Sequence, residues 1–209
     1  MRFPARAAVC MALLATPVIL HAQNTTLTFE ANACAGTGLT PRNVTSYSEG
    51  GYTITGTFLQ SSCSGRSSYA GSTALFENAL NSSATLARTD LTPFRIFSIA
   101  LAQLIAGRQN AGSFVFTGNL AGGGTVSQTF VVPSQASGSP VEATYAFSSA
   151  FDNLASVTFA PQNAPYYQFD NVEVSTAPEP ASLMLLGTGL FAVAGVVRRR
   201  RRGIAARLT

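Results

Sequence analysis

The chain has 209 residues and a formal net charge of +4, all 13 of its basic residues are arginines, and it has one histidine and no tryptophan. Eight arginines lie before residue 23 or after residue 197, so residues 23–177 hold five arginines against eight acids and are net negative by three, which excludes a nucleic-acid partner. The one histidine, His21, falls in a predicted leader, so histidine-based nucleophiles and metal sites are excluded, as are lysine Schiff bases.

Residues 1–22 have the parts of a secretory signal peptide. Arg2 and Arg6 form a basic region, residues 7–20 are mostly apolar, and Ala22 is a small residue suited to cleavage before Gln23. We therefore expect the mature chain to begin at Gln23 and to lie outside the cytoplasm. An uncleaved anchor helix is the alternative.

Two cysteines, Cys34 and Cys63, remain once the leader and its Cys10 are removed. An even pair of cysteines in an exported chain predicts a disulfide bond. A bond between them would close a loop of about 30 residues and stabilise the fold by about 3–4 kcal/mol. Two unpaired buried thiols are the alternative.

Residues 23–176 are predicted to form one all-β domain, a β-sandwich. Short runs that alternate apolar with polar residues, or that are rich in β-branched and aromatic residues, recur between turn residues. Residues 113–132 should form a hairpin through the glycines at 122–124, whereas 73–80 is the one predicted short helix and 100–106 is a candidate extension as helix. The predicted strands lie in residues 25–30, 51–58, 93–101, 113–117, 125–132, 141–147, 155–159 and 166–174. Many short strands with almost no helix indicate a sandwich.

The two ends of this domain share a pattern with a known group of folds. The pattern consists of Phe29-Glu30 after the first strand, the run 49–52 (EGGY) and the closing run 169–174 (FDNVEV). It resembles jelly-roll modules of the carbohydrate-binding or galactose-binding-like type, in which the first and last strands lie side by side and a carboxylate from each often holds a structural calcium ion. The resemblance implies a calcium site at Glu30 and Asp170. Ordinary strand-end polar residues are the alternative.

A ligand for the sandwich is not evident from the sequence. Sugar-binding faces stack pyranose rings on aromatic side chains, most often tryptophan, and tyrosines are the available substitutes here. The six tyrosines are Tyr47, Tyr52, Tyr69, Tyr145, Tyr166 and Tyr167. Core packing is the alternative use for half of them, so the ligand remains unknown at this stage.

The C-terminal segment 177–202 has three consecutive parts. Pro178, Glu179 and Pro180 precede an uncharged apolar run, residues 181–197, which is about as short as a membrane-spanning helix can be. Five arginines then mark the cytoplasmic side, which also places the tail 203–209 in the cytoplasm. These are Arg198, Arg199, Arg200, Arg201 and Arg202. The segment resembles the PEP-CTERM sorting signal, although Ala177 stands where that family commonly has valine.

This resemblance implies an exosortase, a membrane-embedded cysteine transpeptidase, as a partner. The chain would sit in the inner membrane of a bacterial envelope as an exported intermediate, and would then move to the cell surface or the extracellular matrix. We expect a protein with a structural, adhesive or glycan-contacting sandwich, with extracellular polysaccharide as a candidate partner and calcium as the one candidate cofactor. No enzymatic activity is expected, because the eight acids show no glycosidase spacing. The alternative is a secreted carbohydrate-active enzyme or its carbohydrate-binding module.

Overall fold

The structure, a computed structural model, describes residues 24–32, 45–57, 59–62, 64, 67–77, 82–107, 110–162 and 167–176. Within these residues the chain forms twelve strands and two 3₁₀ turns, Glu30–Asn32 and Ser149–Phe151. The strands are β1 (Asn24–Leu27), β2 (Ser46–Glu49), β3 (Tyr52–Gly56), β4 (Leu59–Ser62), β5 (Ala74–Glu77), β6 (Ala84–Arg88), β7 (Phe94–Gln103), β8 (Gly112–Leu120), β9 (Thr125–Val132), β10 (Ala143–Ala146), β11 (Leu154–Gln162) and β12 (Tyr167–Thr176).

The strands form two antiparallel layers. The first layer has the order β2-β3-β6-β11-β8-β9. In the second layer β10 lies beside β7, β7 beside β12, and β12 beside both β1 and the β5–β4 pair. A single pairing between Leu154 and Phe94 joins the two layers at one edge. The predicted all-β sandwich, with a jelly-roll-like arrangement, is confirmed.

Aromatic rings from the two layers meet in the core. Phe159 of β11 contacts Phe169 of β12 with 4.8 Å between ring centroids, and Phe114 of β8 contacts Tyr167 of β12 at 5.3 Å. Side chains alternate between the two faces of a strand, so every second residue enters this core. Each fully buried phenylalanine contributes about 1.5–3 kcal/mol to stability.

The first and last strands pair as the resemblance implies. Asn24 lies opposite Ser175, and Leu27 lies opposite Val172. The predicted strand 25–30 ends early, however, because Phe29 has a positive φ of 57° that breaks the extended run. This break turns the chain into the short 3₁₀ turn that begins at Glu30.

A two-residue turn joins β2 to β3 and sets the position of Glu49. Gly50 and Gly51 have φ values of 58° and 83°, and Glu49 pairs with Tyr52 across the turn. A turn with positive φ at both central residues suits the twist of a hairpin and favours glycine at both positions. The hairpin predicted through the glycines at 122–124 is confirmed as the connection between β8 and β9.

The helix prediction for residues 73–80 is wrong for its described part. Residues 74–77 form β5, which pairs with both β4 and β12, and all four residues are buried. Residues 100–103 likewise continue β7, and the chain bends at Leu104 instead of forming a helix. A strand covered on both faces gives a continuous apolar run, which periodicity does not distinguish from a buried helix.

Candidate functional site

Four acidic side chains from distant parts of the chain interact near the β1–β12 pair, and we call them the carboxylate cluster: Glu30, Glu49, Glu142 and Asp170. The charges of Glu30 and Glu49 help to raise the pKa of Asp170, and the charge of Asp170 helps to raise the pKa of Glu142. Coulombic effects of this kind require proximity in the fold. The structure therefore brings together the two sequence-predicted residues, Glu30 and Asp170, and adds two more.

Asp170 lies on the outward face of β12 but is completely buried, with 0% of its surface exposed. Its carboxylate accepts a hydrogen bond from the hydroxyl of Ser72, one from the backbone N–H of Asn171 at 2.6 Å and one from the Asn171 side-chain amide at 3.1 Å. Burial is the main cause that raises the pKa of Asp170 to about 6, and the hydrogen bonds from Ser72 and Asn171 oppose that rise.

Glu30 and Asp170 bind consecutive residues of one loop. Glu30 accepts hydrogen bonds from the backbone N–H of Thr73 at 2.9 Å and from its hydroxyl at 3.0 Å, while Ser72 donates to Asp170. The Ser72–Thr73 segment thus bridges the end of β1 to the middle of β12. Hydrogen bonds to an ionised carboxylate are stronger than hydrogen bonds between neutral groups. The bridge therefore fixes the segment that leads into β5.

Glu49 stabilises the irregular backbone after β1. Its carboxylate accepts hydrogen bonds from the N–H groups of Thr28 and Phe29 at 3.1 and 3.0 Å, from the Thr28 hydroxyl at 3.2 Å and from the Tyr47 hydroxyl at 3.0 Å. Phe29 is buried and has the positive φ described above, a conformation that costs of order 1–3 kcal/mol for a bulky residue. The contacts from Glu49 offset that cost.

Glu142 completes the cluster from the segment before β10. It is half-buried, and its Oε1 atom is buried without a hydrogen-bond partner. Burial, followed by the charge of Asp170, raises the pKa of Glu142 to about 7, whereas a hydrogen bond with Asn171 lowers it. Neither Glu142 nor Glu49 was assigned a role from the sequence, because they lie 28 and 121 residues from Asp170 and only the fold makes them neighbours.

The oxygen ligands that the carboxylate cluster offers are suited to calcium in type but not in number. Carboxylates are preferred calcium ligands, and the two described arginines pair elsewhere, Arg88 with Asp90 and Arg95 with Asp152. Among the described residues, however, no three acidic, histidine or cysteine side chains converge closely enough to hold a metal ion. Any calcium at Glu30 and Asp170 would need carbonyl or water oxygens as its other ligands, so the site remains a prediction.

The tyrosines considered as sugar platforms are engaged within the described part of the fold. Tyr52 and Tyr167 are buried in the core. The hydroxyls of the half-buried tyrosines donate to protein acceptors, Tyr47 to Glu49, Tyr69 to the carbonyl of Gly71 and Tyr145 to the carbonyl of Val131. None of these five rings is a fully exposed stacking surface, and Tyr166 lies outside the described residues.

Several predicted features fall outside the described residues: Cys34 and Cys63, the sorting motif Pro178-Glu179-Pro180, the apolar run 181–197 and the arginines 198–202. The described chain ends at Thr176, the last residue of β12. Within the described ranges, no helix has the length and apolar character needed to span a membrane.

Comparison with known proteins identifies the C-terminal segment. Residues 176–202 match the PEP-CTERM protein-sorting motif, which indicates an exported protein sorted by an exosortase. A search of curated protein sequences returns no match.

The solved structures that resemble the chain are distant. One is a mutant of a family 29 carbohydrate-binding module, with 15% identity, a TM-score of 0.40, and coverage of 75% of this chain and 94% of the module. Another is the C-terminal family 22 carbohydrate-binding module of Clostridium thermocellum Xyn10B, with 16% identity, a TM-score of 0.41, and coverage of 73% and 93%. Similarity at this level does not extend to ligands, so the fold rests on the strand pairing described above.

Proposed function

We propose that the chain is a protein of the bacterial envelope that residues 181–197 hold in the inner membrane until an exosortase processes it at Pro178-Glu179-Pro180. It then moves to the cell surface or extracellular matrix, where the sandwich has a structural, adhesive or glycan-contacting role. The observation that supports this proposal is the match of residues 176–202 to the sorting motif.

The sequence around the motif suits a protease-like partner at the membrane edge. Residues that precede proline avoid the helical region, so Ala177 and Glu179 favour an extended backbone. Glu179 lies just outside the apolar run, where its carboxylate stays hydrated. The arginines 198–202 fix the other end of the run on the cytoplasmic side. The sandwich ends at Thr176, the last residue of β12, two residues before the motif. The sandwich therefore lies close to the outer face of the inner membrane while the apolar run spans it.

The carboxylate cluster has a structural role in this proposal. Glu30, Glu49 and Asp170 bind the Ser72–Thr73 segment and the bend after β1, and a calcium ion at Glu30 and Asp170 would neutralise part of their charge. One observation favours the enzyme alternative, namely the raised pKa values of Glu142 and Asp170, which resemble an acid–base pair. Asp170 is fully buried and bonded to Ser72 and Asn171, which keeps it from substrate, so we favour the structural role.

The test replaces Glu179 with alanine in the full-length protein and follows its release in a host with a working exosortase. Membrane insertion should be unaffected, because removing a charge beside an apolar helix makes partition easier. Release should fail, and full-length protein should accumulate in the inner membrane.

Two control variants make the result specific. Glu173→Ala removes the nearest other acidic residue and should leave release intact, and Arg200→Ala with Arg201→Ala should reduce release less than Glu179→Ala because three arginines remain. Normal release of the Glu179→Ala protein would show that the tail is a plain membrane anchor.

A further inference from the structure

The outward face of the first layer carries rows of hydroxyl side chains that run across the strands. In one row, each of the six strands contributes one serine or threonine, and each of these residues pairs with the one on the neighbouring strand. The row is Ser46, Thr55, Thr85, Thr158, Thr117 and Ser127. Neighbouring strands lie about 4.8 Å apart, so the row extends about 24 Å.

A second, parallel row lies two residues further along the strands. Ser48 pairs with Thr53 at one end of the layer, and Ser156, Asn119 and Thr125 pair in sequence at the other end. This second row is interrupted in β6, where Ala87 lies opposite Thr53. Residues two apart in a strand are about 6.7 Å apart, so the two rows lie side by side on one surface. We call this surface the hydroxyl face.

The hydroxyls of this face are held in place by one another. The Thr85 and Thr158 hydroxyls lie 3.0 Å apart, those of Ser48 and Thr53 lie 2.9 Å apart, and the Asn119 amide donates to the Ser156 hydroxyl at 3.0 Å. A hydroxyl offers one donor and two acceptor positions, so each keeps capacity for a ligand. Threonine also has a restricted χ1 angle, which lowers the entropy lost when a ligand binds.

The hydroxyl face has no charged residue at any outward position of its six described strands. The two charged residues in these strands, Glu49 and Arg88, lie on the other side, where Glu49 binds the bend after β1 and Arg88 lies over the buried Tyr52 ring. The outward face of the second layer differs, because it carries Arg95 and Glu173. An uncharged face six strands wide departs from the charged surface that favours solubility, for which designed proteins carry about 25–35% charged residues.

The side chains of the hydroxyl face favour one class of ligand over others. A nucleic acid or anionic polymer requires basic side chains, and a protein interface is enriched in aromatic, methionine and arginine residues. The two rows contain none of these. A neutral polysaccharide instead presents many hydroxyls that both donate and accept, which is the chemistry that serine, threonine and asparagine match.

We propose that the hydroxyl face binds a neutral polysaccharide laid across the strands. This inference deepens the glycan-contacting role in the proposed function and places the contact on the first layer, away from the carboxylate cluster. Binding through neutral hydrogen bonds is insensitive to salt.

The test measures the mobility of purified full-length protein in native gels that contain hydroxyethyl cellulose, dextran or alginate. Wild type should be retarded by at least one neutral polymer and not by the polyanion alginate, and the retardation should persist at about 1 M salt, where charge interactions are screened beyond about 3 Å. The variant Thr117→Val with Thr158→Val removes two central hydroxyls and keeps strand-forming side chains. It should weaken binding about tenfold, as expected for two lost hydrogen bonds. A second variant, Thr117→Lys, should block the face with a long charged side chain.

The matched control is Thr26→Val with Thr144→Val, which removes two exposed hydroxyls from the outward face of the second layer and should leave binding unchanged. If neither Thr117→Val with Thr158→Val nor Thr117→Lys reduced the retardation seen for wild type, the assignment to the hydroxyl face would be overturned, but a glycan-contacting sandwich would remain. If no neutral polymer retarded the wild-type protein, both the assignment to the hydroxyl face and the glycan-contacting role of the sandwich would be overturned. If the Thr117→Val and Thr158→Val changes instead lowered the oligomeric state in sedimentation without altering retardation, the face would be a contact between copies of the chain, and the proposal would be wrong.

Discussion

Replacing Asp170 with asparagine should stabilise the protein above about pH 6 when calcium is absent. Asp170 is fully buried, and burial with the nearby charges of Glu30 and Glu49 raises its pKa from the ordinary 3.8 to about 6. The folded protein therefore binds this proton more tightly than the unfolded chain. The side chain adds almost no penalty below about pH 4. The penalty grows as the pH rises from about 4 to about 6, where the unfolded chain has lost the proton and the folded protein still holds it, and it is complete above about pH 6.

The size of this effect follows from the two pKa values. A shift from 3.8 to about 6 corresponds to about 3 kcal/mol of lost stability once Asp170 is ionised. Glu142, with a pKa of about 7, acts in the same direction over a slightly higher range. For a domain of this size 3 kcal/mol corresponds to about 6–12 °C in melting temperature. An asparagine keeps an oxygen that can accept from Ser72, so the variant removes the charge and retains that contact.

The assay is thermal melting of the full-length protein, followed by circular dichroism between about pH 4 and pH 8 in the presence of a chelator. Wild type should melt at a lower temperature as the pH rises. Asp170→Asn should lose the part of that trend between about pH 4 and pH 6, whereas the part caused by Glu142 should continue to about pH 7. Glu173→Gln is the matched control, because Glu173 lies on the same strand, is half-buried and accepts from Asn24 and Ser98. It should melt with the wild-type pH dependence.

Calcium supplies the second arm of this experiment. If Glu30 and Asp170 hold the ion, a hundredfold excess over the dissociation constant should stabilise wild type by about 2.7 kcal/mol and leave Asp170→Asn unchanged. The gain should shrink near pH 5, where Asp170 is protonated. A wild-type melting temperature that is flat from about pH 4 to pH 7 in chelator would refute the electrostatic reasoning. Identical melting with calcium and with chelator would refute the metal site.

Two further predictions concern other parts of the domain. Glu49→Ala should destabilise the fold by about 2–4 kcal/mol in urea unfolding, because it leaves the Thr28 and Phe29 N–H groups without their acceptor; Glu49→Gln, which keeps one oxygen, should cost less, and equal stability of Glu49→Ala and wild type would contradict this role. Cys34 and Cys63 should form a disulfide, so mass analysis without reduction should give one cross-linked peptide pair; two thiols that can be alkylated in freshly purified protein would reject the bond.

The strands that the sequence predicted share a property. Residues 113–117 and 125–132 alternate strictly between core and solvent, so their periodicity reports their burial directly. Strands β2, β4 and β6 were not predicted, because they are four or five residues long and rich in serine, threonine and alanine. Serine gives little hydrophobic signal whether it faces solvent, as in β2, or is buried, as Ser61 and Ser62 are in β4. The alternation of hydroxyls in residues 46–48 was the signal that could have revealed β2.

The site was predicted in part. The pairing of the first and last strands follows from the resemblance at the two ends of the domain and is confirmed. The structure places Glu30 and Asp170 on consecutive residues of one loop, Thr73 and Ser72, whereas the calcium site at the two carboxylates stays a prediction. The roles of Ser72 and Glu142 had no local signal. A serine in a loop and a glutamate before a short strand are ordinary surface residues until the chain around them folds.

The sequence by itself determined the sorting motif at residues 176–202 and the broad fold. A sorting motif is a linear segment, so the order and composition of its residues are sufficient to identify it; the leader and the apolar span stay predictions of the same kind. Strand periodicity likewise depends on local alternation. The tertiary structure decided what long-range pairing controls: the covering of β5 on both faces, the raised pKa of Asp170 among distant carboxylates, and the alignment of single hydroxyls from six strands into one face. These properties arise from the register between strands, and register is set by the packing of the whole core.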